Sequence, residues 1–312
     1  MVLPMARETH QAWPHPRTFY FTPSYFCTSD CLMCGVAKEK RDQQWGFSEA
    51  EARRKIDEMD LQPGDVLEIS GGEPTAYKGL AAIAAYASDR YHARILVLSH
   101  GRHLKVRKLA ESLASCGITR FLIPLFSHVP ERHDYLTQVE GSFDETVNGL
   151  ANLAELGVPT TIKFIPMKTN YRDALETYHL CRSRFPMMKF VMSGYQMMGE
   201  AFTNTDLVSP RHSAVAGEVE KVLAAAERHG GDVAVSFLPL CTLDPVYWDR
   251  YRSGFRQERV VTPDRLSVLS ANDRNYSHKP KQCQPCLLKD KCQWAWFAYC
   301  QAFGTSELQP VT

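Results

Sequence analysis

Short runs of apolar residues alternate with amphipathic stretches between residue 18 and about residue 236. The apolar runs predict strands at Thr18–Phe26, Val66–Ser70, Arg94–Ser99, Arg120–Phe126, Thr160–Ile165, Lys189–Ser193 and Val233–Phe237. The stretches between them predict helices near residues 48–59, 78–89, 104–115, 143–156, 171–184 and 211–229. Such strand–helix units in series indicate parallel strands joined by right-handed crossovers, in an open doubly wound sheet or in a complete or partial barrel.

Two local signals refine this pattern. Ser48-Glu49-Ala50-Glu51 is a capping-box sequence and predicts the start of the first helix. No Gly-x-Gly-x-x-Gly follows the first strand, which argues against a dinucleotide-binding sheet. Beyond Leu238 the chain becomes irregular and has little apolar periodicity. Because such a segment cannot build much of a core, a metal site is a natural source of its stability.

Composition excludes some kinds of partner. The 312 residues are 44% hydrophobic and carry 36 basic and 35 acidic side chains, so the formal net charge is only +1. No global field therefore attracts nucleic acid or an anionic membrane, and a small or neutral partner is expected. Residues 1–17 contain no apolar run like that of a signal peptide, and no later stretch is long enough to span a membrane, so we expect a cytoplasmic protein.

In a reducing compartment, clustered thiols indicate metal binding more often than disulfide bonds. The positions of the ten cysteines are therefore evidence about metal sites. Eight of them lie in two regions, one near the start of the chain and one towards its end. Cys116 and Cys181 stand alone within helix-like segments, where we expect them to be small buried apolar residues.

The first cysteine cluster is Cys27, Cys31 and Cys34, which directly follow the first predicted strand. Both barrels and open α/β sheets bind ligands on the loops at the carboxyl ends of their strands. Thiolates are soft ligands for iron–sulfur clusters, zinc or copper(I). Three thiolates on a four-iron cluster leave one iron open for chemistry, whereas a zinc site would need a further His or Asp from elsewhere in the chain.

Cys-x3-Cys-x2-Cys after a first strand resembles the signature of the radical S-adenosylmethionine (radical SAM) superfamily. A second element supports the resemblance, because Gly71-Gly72-Glu73-Pro74 ends the second strand and looks like the family's Gly-Gly-Glu-Pro motif. Glycines at this place let the backbone approach a ligand closely, and the exposed peptide groups of the strand edge can bind the amino group of SAM.

Weaker similarities follow in strand order. The resemblance implies contacts with SAM from residues at the ends of later strands, namely Ser99, Ser127, Asn170 and Gly199. Met33 stands where relatives usually carry an aromatic residue that packs near the adenine, and its polarizable side chain can lie against a ring.

The resemblance also implies a mechanism. A [4Fe–4S] cluster on Cys27, Cys31 and Cys34 would chelate SAM, and one electron from a donor such as flavodoxin or ferredoxin would break the sulfur–carbon bond. The resulting 5′-deoxyadenosyl radical would abstract a hydrogen atom from the substrate, as in an oxidoreductase or a lyase. The protein would then position the reactants and exclude water and competing hydrogen donors.

The second cluster, Cys283, Cys286 and Cys292, resembles the auxiliary iron–sulfur domains called twitch or SPASM, and its alternative interpretation is a zinc ribbon. A helix over residues 293–299 would place Cys300 roughly 12 Å from Cys292 at ~1.5 Å per residue, too far for one small cluster. Cys241 is therefore the predicted fourth ligand. Trp296 stands where a full SPASM pattern needs a cysteine, so we expect one auxiliary [4Fe–4S] cluster.

These patterns together predict an α/β protein with a partial (β/α)6 TIM-like barrel, residues 17–236, and a small irregular auxiliary-cluster domain, residues 237–312. The expected substrate is a small-molecule biosynthetic intermediate, or alternatively a ribosomally made peptide or protein side chain. About 16 residues before the first strand are too few for a leader-binding domain. The rival functions are a non-catalytic iron–sulfur electron carrier and a zinc-stabilised binding module.

Overall fold

A computed structural model describes residues 17–43, 45–252, 257–264, 277–293 and 295–312. Its main sheet has eight strands: β1 (Thr18–Phe21), β2 (Val66–Ile69), β3 (Arg94–Leu98), β4 (Ile118–Pro124), β5 (Thr160–Phe164), β6 (Lys189–Ser193), β7 (Val233–Ser236) and β8 (Gln257–Val261). Their order is β7-β6-β5-β4-β3-β2-β1-β8, and every neighbouring pair is parallel. In the part of the chain that the structure describes, the edge strands β7 and β8 do not pair, so the sheet is open and the predicted partial barrel is confirmed.

The described helices are α1 (Lys38–Asp42), α2 (Glu49–Asp57), α3 (Leu80–Tyr91), α4 (Arg107–Ala114), α5 (Pro130–Thr137), α6 (Ser142–Glu155), α7 (Ala174–Arg184), α8 (Glu200–Thr203), α9 (Thr205–Val208), α10 (His212–His229) and α11 (Phe297–Phe303). The six predicted helices correspond to α2, α3, α4, α6, α7 and α10. The capping box is present, since the Ser48 hydroxyl accepts from the Glu51 N–H and the Glu51 carboxylate accepts from the Ser48 N–H. None of the described helices is both long and apolar enough to cross a membrane.

The two faces of the sheet differ in burial because side chains alternate along each strand. One face, represented by Phe21, Ile69 and Phe121, is fully buried in the main hydrophobic core. Residues of the opposite parity, such as Leu122 and Val191, are only half-buried. We call this second face the inner face of the sheet. In α/β folds ligand sites form at the carboxyl ends of the strands, so this face borders the place where a ligand is expected.

Strand boundaries differ from the sequence-based expectation at the functional end. The first strand stops at Phe21, not at Phe26, because the chain turns to pair with other segments. The Thr22 N–H donates to the Val261 carbonyl at 2.9 Å, and the Tyr25 N–H donates to the Trp45 carbonyl at 2.8 Å. Strand β8 was not expected from the sequence, and it lies beyond the predicted boundary at residue 236 although it pairs with β1.

The end of the chain is irregular, as expected, but one local prediction there is wrong. Residues 293–299 do not form a continuous helix: Ala295–Trp296 is strand β10, which pairs antiparallel with β9 (Ser277–His278), and α11 begins only at Phe297. This segment shares a small core with the loop after β6, since Tyr299 packs with Tyr195. The predicted division at residues 236 and 237 stays a prediction.

Candidate active site

The loop that carries Cys27, Cys31 and Cys34 is held in place by the backbone of distant elements. The Asp30 N–H donates to the Thr137 carbonyl at 3.2 Å, at the end of α5. At the other end of the loop, the Glu200 N–H donates to the Cys34 carbonyl at 2.8 Å. The loop is therefore fixed by parts of the barrel more than 100 residues away in sequence.

The three thiols act on one another electrostatically. Burial raises the pKa of Cys27 to about 11, and the neighbouring Cys34 also raises it. Burial raises the pKa of Cys31 and of Cys34 as well, and Cys27 and Cys34 both add to the shift of Cys31. All three cysteines are free of disulfides. A metal must replace the protons of such thiols, and three converging soft donors fit an iron–sulfur cluster.

The Gly-Gly-Glu-Pro motif lies against the backbone that leads into Cys27. The Gly72 N–H donates to the Ser24 carbonyl at 3.0 Å, and the Glu73 N–H donates to the Phe26 carbonyl at 2.7 Å. A Cβ atom on Gly72 would stand 2.1 Å from the Phe26 carbonyl oxygen. Gly71 has a φ of +124°, a conformation that favours glycine. The second motif therefore adjoins the first through direct backbone contact.

Glu73 organises the ends of β2 and β3. Its carboxylate is buried and accepts hydrogen bonds from the Ser99 hydroxyl at 2.7 Å, the His100 N–H at 2.8 Å and the Thr75 hydroxyl at 2.6 Å. Burial opposes ionisation, but the nearby His100 and these hydrogen bonds lower the pKa of Glu73 below its ordinary value. Glu73 is thus a positioned anion with Ser99 beside it, and the contact of Ser99 with SAM stays a prediction. Pro74 begins a short 3-10 helix, Pro74–Ala76.

Two histidines connect this carboxylate to the cysteine loop. The Thr28 hydroxyl lies 3.1 Å from Nε2 of His100 and 3.1 Å from Nε2 of His103. One ligand atom each of Glu73, His100 and His103 lies within 4.8 Å of the others. Burial lowers the pKa of His100 to about 4, so its ring is neutral at pH 7. Neither histidine stands out in the sequence, where both lie in a turn region after a strand.

Two arginines that no sequence motif marks also contact the loop. Arg102 donates from Nη1 to the Thr28 carbonyl at 2.9 Å, and its Nε lies 2.6 Å from the Glu145 carboxylate. Arg41, on α1, donates from Nη1 to the Ser29 carbonyl at 3.0 Å. Both arginines occur in charged stretches that look like solvated helix surface, so only the fold reveals their positions.

The remaining predicted SAM contacts lie around the same loop but differ in what their side chains do. Gly199 adjoins Cys34, because a Cβ atom there would stand 2.7 Å from the Cys34 carbonyl oxygen. Met33 packs against a small apolar cluster that includes Phe126.

Ser127 and Asn170 are fully buried, and their polar groups bond within the protein. The Ser127 hydroxyl donates to Asp173 at 2.6 Å, and the Asn170 amide donates to the Phe126 carbonyl at 2.6 Å and the Ile165 carbonyl at 3.1 Å. The Asn170 side-chain oxygen also accepts from the Met167 N–H at 2.6 Å. These two side chains hold the loops after β4 and β5, and their contact with SAM stays a prediction.

The second group of cysteines converges on one cavity. Cys241, Cys283, Cys286 and Cys292 all line it, although Cys241 is distant from the others in sequence. Burial raises the pKa of Cys241 to about 11, and Cys292 and Cys283 contribute to that shift. Burial, and to a lesser extent Cys283, raises the pKa of Cys300, but Cys300 is not among the described residues that line the cavity. The helical distance used to disfavour Cys300 was wrong, because α11 begins at Phe297, yet the arrangement still favours Cys241.

Cys116 and Cys181 lie away from both groups. Cys181 is buried in the main core, as predicted, and burial alone raises its pKa to about 12. Cys116 is half-buried, and its thiol donates to the Leu113 carbonyl at 3.2 Å.

Comparison with known families agrees with this geometry. The family model "Radical SAM superfamily" matches residues 21–181, which contain both motifs and the first five strands except for the start of β1. The chain belongs to the radical SAM superfamily. The resemblance inferred from the two motifs is thereby confirmed, and a [4Fe–4S] cluster and SAM are the cofactors of this family.

Two curated relatives in this superfamily are named for different molecules. Fe-coproporphyrin III synthase of Methanosarcina barkeri is 28% identical over 182 residues, which cover 58% of this chain and 45% of the relative. PqqA peptide cyclase of Ruegeria pomeroyi is 23% identical over 216 residues, which cover 69% of this chain and 54% of the relative. The chain thus spans about half the length of these radical SAM relatives.

Solved radical SAM structures share the fold at low identity. anSMEcpe with bound AdoMet has a TM-score of 0.63 at 12% identity, and the match covers 94% of this chain and 92% of that one. Streptococcus suis SuiB has a TM-score of 0.59 at 17% identity, and the match covers 70% of this chain and 49% of that one. At such identity the likeness concerns the fold alone.

Proposed function

We propose that this protein reductively cleaves SAM and uses the 5′-deoxyadenosyl radical to abstract a hydrogen atom from a substrate. The observation that carries the proposal is the convergence of Cys27, Cys31 and Cys34 on a loop whose preceding backbone bonds directly to the Gly-Gly-Glu-Pro motif. When bound there, a [4Fe–4S] cluster supplies the open iron and the electron for cleavage.

The residues of this chain would bind and orient SAM. The strand end at Gly71, Gly72 and Glu73 presents backbone groups beside the cysteine loop, and Ser99 fixes the Glu73 carboxylate behind them. Gly199 adjoins the Cys34 carbonyl from the opposite side of the loop. Loops held this rigidly keep the reacting groups in one geometry, which is the main contribution of a protein to radical chemistry.

We further propose that Cys241, Cys283, Cys286 and Cys292 hold an auxiliary [4Fe–4S] cluster. Their convergence on one cavity supports this ligand set. The segment beyond Leu238 has little apolar periodicity from which to build a core, so a bound metal would also stabilise its fold. Four thiolates also suit a structural zinc ion, which metal analysis distinguishes. The cluster would hold the substrate or pass an electron.

The substrate would occupy the inner face of the sheet. Glu68 on β2 is only 4% exposed, and the structure gives its carboxylate no hydrogen bond among the described residues. Burial raises the pKa of Glu68 to about 7, whereas Lys163, on the same face of β5, lowers it. The apolar Leu122 of β4 lies on the same face as these two titratable side chains. A substrate with an apolar body and polar groups suits this face.

Two substrate classes are consistent with that face and with the relatives. One is a small biosynthetic intermediate, a class to which the Fe-coproporphyrin III of one relative belongs. The other is a peptide, as the names PqqA peptide cyclase and mycofactocin maturase indicate for two further relatives. A flavodoxin or a ferredoxin would supply the electron.

Anaerobic reconstitution with iron and sulfide tests the proposal. We expect about eight irons per chain, corresponding to two four-iron clusters, and formation of 5′-deoxyadenosine when SAM and dithionite are added. Replacing Cys27, Cys31 and Cys34 by alanine should abolish this product and leave about four irons. Cys116→Ala is the matched control and should retain both. Zinc in both sites, or no 5′-deoxyadenosine from the reconstituted protein, would overturn the proposal.

A further inference from the structure

Arg41 is the most deeply buried cation beside the cysteine loop. Its side chain is 6% exposed, and Nη1 both donates to the Ser29 carbonyl at 3.0 Å and lies 2.8 Å from the Asp30 carboxylate. Its Nε and Nη2 atoms are also buried, and neither has a hydrogen-bond partner in the part of the chain that the structure describes. Two donor atoms of this guanidinium thus have no acceptor among the residues that the structure describes.

These two donor atoms lie beside the loop that carries the three thiols. Nη1 of the same guanidinium contacts the Ser29 carbonyl and the Asp30 carboxylate, and both residues stand between Cys27 and Cys31 in the chain. The guanidinium is therefore held against the segment that joins two of the three cysteines.

An unpaired buried N–H is unfavourable, and native proteins rarely contain one without a reason. Sulfur atoms of a thiolate-bound cluster accept hydrogen bonds, and such bonds are one of the factors that set the reduction potential of an iron–sulfur cluster. We propose that Nε and Nη2 of Arg41 donate hydrogen bonds to sulfur atoms of the cluster on Cys27, Cys31 and Cys34, and that Arg41 thereby raises the reduction potential of that cluster. This inference rests on the proposed function.

The direction of the effect follows from charge. In a redox titration, dithionite supplies one electron to the cluster. The cluster is already anionic because its ligands are thiolates. A buried cation stabilises the more negative reduced form more than the oxidised form, because screening by water is weak there. Asp30 cancels part of this charge, but its side chain is 50% exposed and also pairs with Lys38 at 2.9 Å. The three groups together keep one net positive charge.

The alternative is that Arg41 only holds the loop through Ser29. Arg102 provides a matched comparison, because it also bonds the loop, at the Thr28 carbonyl and the Ser29 hydroxyl. Its Nε, however, is bonded to Glu145 at 2.6 Å, and no buried donor of Arg102 lacks a partner among the described residues. Loss of Arg102 therefore reports loosening of the loop, whereas loss of Arg41 reports loosening together with loss of the two donor atoms that have no partner there.

The experiment is a redox titration of the reconstituted protein followed by electron paramagnetic resonance. The signal that disappears in Cys27→Ala is assigned to this cluster. In Arg41→Gln and Arg41→Met we expect the ratio of reduced to oxidised cluster at a fixed potential to fall about tenfold, which corresponds to about 59 mV for one electron. Arg41→Lys should restore most of the ratio, and Arg102→Met should change it by less than threefold.

The outcomes separate the two hypotheses. An unchanged potential in Arg41→Gln, or an equal shift in Arg102→Met, would overturn the role of Arg41 in setting the potential. If Arg41→Met fails to retain iron, the comparison of Arg41→Gln with Arg41→Lys still decides. A wild-type protein that shows no reducible cluster on Cys27 would instead refute the proposed function itself.

Discussion

Replacing Gly72 by alanine tests how the two motifs fit together. The new Cβ atom would stand 2.1 Å from the Phe26 carbonyl oxygen, 2.3 Å from the Tyr25 carbonyl oxygen and 2.5 Å from the Tyr25 carbonyl carbon. Favourable contacts between such atoms need roughly 3.5 Å, so the backbone before Cys27 must retreat by about 1 Å. These atoms belong to the backbone, so no side-chain rotation can relieve the collision.

The size of the effect follows from this displacement. Overpacking of this kind typically destabilises a protein by about 1–3 kcal/mol. The displacement also strains the bond from the Glu73 N–H to the Phe26 carbonyl, which is 2.7 Å long. A misplacement of about 1 Å can slow a reaction by about 100-fold. We therefore expect Gly72→Ala to lower both iron occupancy at Cys27 and the rate of 5′-deoxyadenosine formation.

Three properties of Gly72→Ala are measured: its iron content, its rate of 5′-deoxyadenosine formation under anaerobic conditions, and its unfolding midpoint in urea. Gly217→Ala is a matched control, because Gly217 lies within α10 and a Cβ atom there has no neighbour within 4 Å. That change should leave activity intact and stabilise the protein by about 0.5–1 kcal/mol. If Gly72→Ala has wild-type iron content and activity, the backbone contact does not constrain the site and the reasoning fails.

Two further predictions address the second cluster and the inner face. Cys241→Ala should remove most of the auxiliary iron, measured after reconstitution, and Cys300→Ala should leave that iron bound. The reason is that, of these two cysteines, Cys241 alone lines the shared cavity among the described residues. The opposite order of iron loss would make Cys300 the ligand. Glu68 has a folded pKa of about 7 against an ordinary value of 4.5, so its contribution to stability falls as pH rises through that window. Relative to Glu68→Gln, the wild-type free energy of unfolding should fall by about 3 kcal/mol between pH 4.5 and pH 8, and parallel pH profiles would contradict this.

Much of the fold was predictable because its signals are local. Each core strand is a short apolar run, and each principal helix has its own periodicity, so β6 was predicted with its observed bounds of Lys189–Ser193. The capping box at Ser48 was predictable for the same reason. Strand β8 (Gln257–Val261) was missed because its five residues include three polar ones, and it becomes a strand by pairing with β1.

The sequence by itself determined the chemistry. The spacing of Cys27, Cys31 and Cys34 and the strand-end position of the Gly-Gly-Glu-Pro motif indicated the superfamily without any coordinates. That inference needs only the order of residues along the chain, since the carboxyl ends of parallel strands always meet at one edge of the sheet.

Only the tertiary structure decided which groups surround that chemistry. It showed that Gly72 contacts the backbone before Cys27, whereas the sequence indicated only an approach to a ligand. It also placed Arg41 against the cysteine loop. Cys241 was expected from the sequence on the basis of a helix that does not form, and the shared cavity with Cys283 is a feature of the tertiary structure. The physical reason is that charge, packing and coordination depend on distances in space. Those distances are set by the tertiary packing of segments that are far apart in sequence. Neither hydrophobic periodicity nor motif spacing contains that information.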